Sequence, residues 1–116
     1  MTTRPAKWTV EFYTDVRGRS PVEEFINGLP VTQQQAVARV LLLLEEFGVN
    51  LGPPYVKHIE GGIWELRPKP NRLLYFAHTG CRFIVLHAFR KTSRKTQRKD
   101  IAIAERRMAR FLEGER

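Results

Sequence analysis

The chain has 116 residues, 42% of them apolar and 28% charged, a composition that fits one folded domain over residues 1–116 and excludes a wholly disordered protein. Its formal net charge of +8 favours a phosphate-rich partner, because Lys and Arg release condensed counterions when they neutralise phosphates. No apolar run approaches the roughly 20 residues that cross a bilayer, and the N-terminus lacks the apolar core of a signal peptide, so we expect a cytoplasmic protein that binds no membrane.

The first half of the chain predicts one strand followed by two helices. Residues 8–13 alternate with a period of two, as a half-buried strand requires. Ser20 can cap a helix that has Pro21 at its first position and Glu23 three residues after the cap, and this short helix should end near Gly28. Apolar residues recur at helical spacing over residues 32–47, which predicts a second helix that lies against a sheet.

The second half predicts a meander of strands and a final helix. An extended segment over residues 55–59 leads to three strand signals, at residues 65–67, 72–76 and 83–91, and the short turns between them imply antiparallel pairing. Thr96 can cap a last helix, whose apolar stripe consists of Ile101, Ala104, Met108 and Phe111. We therefore expect a single α+β domain, in which helices pack on a small and mostly antiparallel sheet.

Half of the basic side chains lie in one stretch of the chain. Between Leu66 and Lys99 there are ten Lys or Arg residues and no Asp or Glu, in a chain with 20 basic residues in all. These cations are interleaved with aromatic and β-branched residues, which is typical of folded strands and not of a disordered basic tail. The asymmetry favours a surface for nucleic acid, and the alternative is a solvated face that keeps the protein soluble.

If the polyanion is RNA, the simplest chemistry without a metal is attack of a 2′-hydroxyl on its own phosphate, which requires a base, a cation and an acid. Glu65 and Arg67 share one face of a strand and Arg72 begins the next strand, so both guanidiniums are expected to grip the phosphate. Lys91 should lie near the start of that second strand as an acid or phosphate ligand, and the cluster around it should lower its pKa. Glu65 is either the proton acceptor or the carboxylate of a structural ion pair.

The other residues of the stretch have less defined roles. We expect Lys69, Arg94 and Lys95 to contact RNA, and Tyr75 either to stack on an unpaired base or to belong to the core. His87 is either a general acid or base, or a partly buried histidine. The single cysteine excludes an intrachain disulfide, and no His, Asp or Glu cluster or Gly-rich phosphate loop indicates a metal or another cofactor.

Three short sequence motifs resemble those of a known family: WELR, which ends at Arg67, RLLYF, which begins at Arg72, and HAFRKT, which contains Lys91. In this order and spacing they resemble the RelE/HigB superfamily of bacterial and phage toxins, in its phage-derived HigB-like branch. The resemblance implies a compact fold in which helices pack on one side of a small, twisted sheet. It places the family's basic and catalytic positions on Arg67, Arg72 and Lys91, with Lys57 and Arg90 as weaker correspondences that we expect to contact RNA.

The resemblance also implies an activity and a set of partners. It implies the toxin of a type II toxin–antitoxin pair, a ribosome-dependent mRNA endonuclease (mRNA interferase) with mRNA, the 70S ribosome and a cognate antitoxin protein as partners. Two alternatives stay open. A non-catalytic RNA- or ribosome-binding module needs the same cations. A DNA-binding regulator fits less well, because the basic residues lie on strands and their exits and no helix-turn-helix is evident.

Overall fold

The computed structural model describes residues 7–115. In this part of the chain the elements follow in the order β1 (Thr9–Phe12), α1 (Pro21–Asn27), α2 (Val31–Phe47), β2 (Val56–Glu60), β3 (Ile63–Leu66), β4 (Asn71–His78), β5 (Arg82–Arg90) and α3 (Arg98–Gly114), with a 3₁₀ turn, Gly48–Asn50, after α2. The strands form one sheet in the spatial order β1-β5-β4-β3-β2. Strands β2 to β5 pair antiparallel and β1 pairs parallel with β5, so the predicted α+β class with a mostly antiparallel sheet is confirmed.

The start of α1 and the end of α2 follow the local sequence. Ser20 caps α1, and its hydroxyl accepts a hydrogen bond of 3.1 Å from the backbone N–H of Glu23. Helix α2 is followed by Gly48, whose φ of +58° favours glycine. A Cβ at Gly48 would lie 2.4 Å from the indole nitrogen of Trp8, which itself stacks on Phe83 at 4.2 Å. This glycine therefore lets the first strand close against the end of α2.

Helices α1 and α2 cover one face of the sheet, which we call the α2 face. The core on this face joins Val22 of α1 and Val37, Val40 and Leu44 of α2 to Leu66, Leu73, Tyr75, Phe83 and Val85 of the strands. The strand residues alternate along β4 and β5 as a two-sided sheet requires. The predicted helix over residues 32–47 thus lies against the sheet as expected.

Helix α3 covers the opposite face, which we call the α3 face. Its residues Ala104, Met108 and Phe111 pack with Leu74, Phe76, Ile84 and Leu86 of the strands. The implied arrangement with all helices on one side is therefore wrong. Six consecutive residues of β4, from Asn71 to Phe76, are buried, and a strand buried on both faces needs a cover on each side.

A β-bulge in β5 decides which residues share the α3 face. Tyr75 pairs with Val85 while Leu74 pairs with His87, so Leu86 is an extra residue in β5. Beyond the bulge, His87 and Phe89 are register partners of Leu74 and Arg72. The end of β5 therefore presents alternate residues to the same face as Arg72.

The start of α3 differs from the prediction. Helix α3 begins at Arg98 with Gln97 as its N-cap residue, and Gln97 makes no capping hydrogen bond with its side chain. The predicted cap, Thr96, instead donates its hydroxyl to Glu65 of β3. None of the helices within residues 7–115 has the length and apolar character needed to cross a membrane.

Candidate functional site

A fully buried carboxylate, that of Glu65, lies on the α3 face of β3. Its oxygen Oε1 accepts a hydrogen bond of 3.1 Å from Nε of Arg67, and its oxygen Oε2 accepts the hydroxyl of Thr96. Nε of Arg72 lies 3.6 Å from Oε1, in ionic contact but too far for a hydrogen bond. A buried carboxylate is stable only with partners of this kind. Glu65 therefore joins β3, β4 and the loop between β5 and α3.

The second buried charge is Arg72, at the start of β4. Its side chain is 9% exposed, and one terminal nitrogen donates a hydrogen bond of 2.9 Å to the carbonyl oxygen of Asn71. Burial lowers the pKa of Arg72, Glu65 opposes this effect, and the nearby charge of Arg67 adds to it. An arginine still keeps its proton at neutral pH. Arg72 is thus a fixed positive charge behind the surface.

Lys91 follows β5 and lies beside the start of β4, as its predicted pairing requires. Its backbone N–H donates to the carbonyl oxygen of Pro70 at 3.0 Å. Partial burial lowers the pKa of Lys91, as do the charges of Arg72, Arg67 and Lys57, while Glu65 opposes them. Burial has the largest effect, and the cations that add to it lie on β2, just after β3 and on β4, and not among the neighbouring residues 90–95. Lys91 consequently gives up its proton more readily than an ordinary lysine.

These elements enclose an open cleft of about 270 Å³ between the β2–β3 hairpin and the β5–α3 loop. Six cations line it, and we call it the basic cleft: Lys57, Arg67, Lys91, Arg94, Lys95 and Arg98. His58, Thr96 and one carboxylate, that of Glu60, also contribute to its wall. A concave surface with an excess of positive charge concentrates a polyanion. The structure therefore brings most of the predicted cationic residues together.

Three predicted RNA-contacting residues lie elsewhere. Lys69 is exposed on the turn between β3 and β4, and it does not line the basic cleft. Arg90 is the register partner of Asn71, whose side chain bonds to Gln33 of α2, so Arg90 belongs to the α2 face. Tyr75 is 4% exposed and packs edge-on against Phe83 at 5.5 Å. The prediction that Tyr75 stacks on a base is wrong, because its ring belongs to the core.

The catalytic assignment of Glu65 also requires correction. The side chain is 0% exposed, and hydrogen bonds from Arg67 and Thr96 occupy both of its oxygens. A proton acceptor must come within hydrogen-bond reach of the hydroxyl that it deprotonates. The geometry agrees with the other predicted role of Glu65, the carboxylate of a structural ion pair.

Carboxylates from outside the basic stretch neutralise part of it. Arg98 donates two hydrogen bonds to Glu60 of β2, at 3.0 and 2.9 Å, and these bonds lower the pKa of Glu60 to about 2. Arg82 holds Glu11 of β1 in a bidentate pair at 2.5 and 2.8 Å. The absence of acidic residues along a stretch of sequence therefore overstates the free charge of the folded surface.

His87 fastens α3 to the sheet beside the basic cleft. Its Nε2 atom lies 2.8 Å from a carboxylate oxygen of Asp100, in the first turn of α3. Arg107, further along α3, donates to the carbonyl oxygen of Leu86 at 2.9 Å. Burial lowers the pKa of His87 and outweighs the opposite effect of Asp100. His87 does not line the basic cleft, which agrees with the predicted alternative of a partly buried histidine.

The residue that sequence reasoning missed is Thr96. A threonine just before a helical pattern is typical of an N-cap, so Thr96 was interpreted as a cap. Its hydroxyl instead contacts Glu65, 31 positions away in sequence. The available signal was that a carboxylate between the apolar residues Trp64 and Leu66 had one near donor, Arg67, for its two oxygens.

Comparisons with known proteins agree with this architecture. The fold matches that of a chain in the crystal structure of the RelBE2 toxin–antitoxin complex from Mycobacterium tuberculosis, with a TM-score of 0.55 and 19% identity, over 74% of this chain and 100% of that chain. Residues 24–109 match the family described as phage derived protein Gp49-like, and the chain belongs to this family. The curated proteins give no match. The resemblance to RelE-like toxins that the three sequence motifs indicated is confirmed.

Proposed function

We propose that this protein is the toxin of a type II toxin–antitoxin system and acts in the cytoplasm as a ribosome-dependent mRNA endonuclease. The observation that carries the proposal is the basic cleft, where cations from β2, the end of β3 and the β5–α3 loop meet beside the buried pair of Glu65 and Arg72. The likeness of the fold to a chain of a toxin–antitoxin complex supports it. Paired cations around a cleft are suited to a phosphodiester whose charge grows during cleavage.

The proposed reaction is attack of a 2′-hydroxyl on the adjacent phosphorus without a metal. A bond forms from O2′ to phosphorus, the bond from phosphorus to O5′ breaks, and the products are a 2′,3′-cyclic phosphate and a 5′-hydroxyl. The side chain of Arg67 is 25% exposed and is held at Nε by Glu65, so its terminal N–H groups serve the phosphate. Lys91 gives its proton to O5′, which its lowered pKa favours, and the hydroxyl proton passes to water in the open cleft.

One observation favours a second function, that of a non-catalytic RNA- or ribosome-binding module. The carboxylate that the sequence offered as a proton acceptor, Glu65, is buried and fully engaged. Binding needs only the cations of the basic cleft and no proton acceptor. The two functions therefore differ in whether RNA is cut, and not in where it binds.

The test is expression in bacterial cells without an antitoxin, followed by mapping of new mRNA 5′ ends. We compare the wild type with an Arg67→Ala/Lys91→Ala variant and with a Lys69→Ala/Arg90→Ala variant, which loses the same charge outside the basic cleft. New ends with the wild type and with the outside variant, but not with the cleft variant, support the endonuclease. Association with ribosomes without new ends supports the binding module. If the wild type neither arrests growth nor associates with RNA, both functions are overturned.

We further propose that the cognate antitoxin covers the basic cleft with an acidic segment. Opposite charge in that segment complements the cations and speeds the encounter. Acetylation of lysines in the purified complex tests this: Lys57, Lys91 and Lys95 are expected to be protected relative to the free toxin, and Lys69 to react equally in both. Unchanged reactivity at the cleft lysines would place the antitoxin elsewhere.

A further inference from the structure

The two oxygens of Glu65 hold different parts of the site. Oε1 faces Arg67 and Arg72, which come from the end of β3 and from β4, at 3.1 and 3.6 Å. Oε2 accepts the hydroxyl of Thr96, in the loop of residues 91–97. One buried carboxylate therefore fixes the cations of the strands on one side and the loop on the other.

The loop of residues 91–97 brings its own positive charges to the basic cleft. Lys91, Arg94 and Lys95 of this loop face Arg67 and Lys57 of the hairpin across the cleft. Like charges on opposite walls of one cleft repel one another and push the two walls apart. The loop is tied at its first residue, where the N–H of Lys91 bonds to Pro70. A second tie to the sheet is the bond from Thr96 to Glu65, and directly after the loop Arg98 pairs with Glu60 of β2.

We propose that Thr96 is a positioning residue, whose hydroxyl holds the β5–α3 loop against the buried carboxylate and so sets the distance between the loop cations and Arg67. The use of this geometry for RNA cleavage rests on the proposed function, whereas the geometry itself does not. Without the hydroxyl, Oε2 is a buried acceptor with no donor, which is costly in the interior. The loop then moves outward and Lys91 becomes more exposed.

The substitution that isolates the hydroxyl is Thr96→Val, which has the same shape without the donor. Thr96→Ser restores the donor, and Thr92→Val is the matched control, since Thr92 is exposed in the same loop. The first readout is the pKa of the Lys91 ammonium, measured by NMR. The groups that face it are Glu65, Arg67, Arg72 and Lys57. The second readout is cleavage of mRNA on purified ribosomes.

We expect Thr96→Val to raise the pKa of Lys91 towards that of an ordinary lysine, because the ammonium moves into solvent and away from the cations. Cleavage should fall about tenfold or more, the effect of a lost hydrogen bond to a charged group. Thr96→Ser should recover both values and Thr92→Val should change neither. A general loss of stability would lower the amount of folded protein without moving the pKa of Lys91 in the folded fraction.

Three outcomes decide the inference. An unchanged Lys91 pKa together with unchanged cleavage in Thr96→Val overturns it. A changed Lys91 pKa in a protein whose wild type does not cut RNA supports it and overturns only the endonuclease. If Thr96→Val does not fold, the wild type still provides a test, because a hydroxyl proton bonded to a buried carboxylate exchanges slowly with water. A rapidly exchanging Thr96 hydroxyl proton in the wild type would then overturn the inference.

Discussion

The two faces of the sheet differ in the chemistry of the side chains that they bury. On β3, Leu66 is fully buried on the α2 face and its neighbour Glu65 is fully buried on the α3 face. On β4, Leu73 and Arg72 stand in the same relation. Apolar burial stabilises residue by residue, whereas buried charges stabilise only as a complete set. The α2 face is thus a core, and one end of the α3 face is a site whose parts depend on one another.

The largest contrast between the faces is expected in activity, at two adjacent residues. Lys91→Met should lower the rate of mRNA cleavage on ribosomes by about 100-fold or more, as loss of a proton donor does. Arg90→Met removes the same charge on the α2 face and should leave the rate nearly unchanged. Because the protonated form of Lys91 is the donor, the wild-type rate should fall as the pH rises through its lowered pKa. This fall should come below about pH 10.4, the ordinary value for lysine.

Kinetic pH profiles of the two variants check this prediction. The alkaline fall should be present in the wild type and in Arg90→Met, and absent from the residual activity of Lys91→Met. Equal losses in both variants would mean that only the net charge matters. In that case the distinction between the faces would not extend to catalysis.

The next effect concerns stability, at Glu65 and Leu66. Glu65→Gln should lower the free energy of unfolding by about 3 kcal/mol, because Arg72 is left buried without its counter-charge. Leu66→Ala should cost about 3 kcal/mol through the cavity that it creates. Adding Arg72→Met should recover part of the loss in Glu65→Gln and none of the loss in Leu66→Ala. Urea denaturation measures all of these values, and a cost below about 1 kcal/mol for Glu65→Gln would contradict the charge set.

A smaller effect is expected in the salt dependence of RNA binding. Lys57→Ala should reduce the slope of log affinity against log salt by about 1, as loss of one phosphate contact does. Arg39→Ala, on the exposed side of α2, should leave the slope unchanged. Fluorescence anisotropy with a short RNA at several salt concentrations measures both slopes. Similar decreases for the two variants would indicate binding that is spread over the whole surface.

The smallest effect is a pH dependence of stability that involves His87. Burial lowers the pKa of His87 in the folded protein, so the unfolded chain binds the proton more readily. The contribution of His87 is therefore fully present above its unfolded pKa of about 6.5 and is lost as the pH falls through its folded value. His87→Gln should flatten the stability curve between about pH 7 and about pH 5, above the range of most carboxylates. A steeper curve in this variant would mean that protonation of His87 stabilises the folded protein, which is the opposite of the expected effect.

Much of the fold could be predicted from periodicity. The presence of helices on both faces of the sheet was also predictable, although it was not predicted. The cap at Ser20, helix α2 and the meander follow local rules that act within a few residues. The position of α3 was predicted wrongly, because the family resemblance implied that all helices lie on one side of the sheet. The sequence nevertheless carries the signal, since residues 73–76 and 83–86 are uninterrupted apolar runs, which indicate burial on both faces.

The site was predictable where it depends on pairing and not where it depends on burial. The period of two placed Glu65 beside Arg67, and the hairpin register placed Lys91 beside β4. The depth of Glu65 and Arg72 depends on Thr96 and α3, which are distant in sequence, so no local pattern shows it. Tyr75 was open to two interpretations because an aromatic residue on a strand has the same pattern in a core and on a binding surface.

The claim that RNA binds at the basic cleft is tested most directly by an NMR titration of the protein. The ligand is a short single-stranded RNA whose 2′-hydroxyls are methylated, so that it binds without being cut. We expect chemical-shift changes to concentrate at the basic cleft, at Lys57, Arg67, Lys91 and Lys95. Residues on the exposed side of α2, such as Arg39 and Leu42, should be unaffected. Changes that centre on the α2 face, or that spread evenly over both faces, would contradict it.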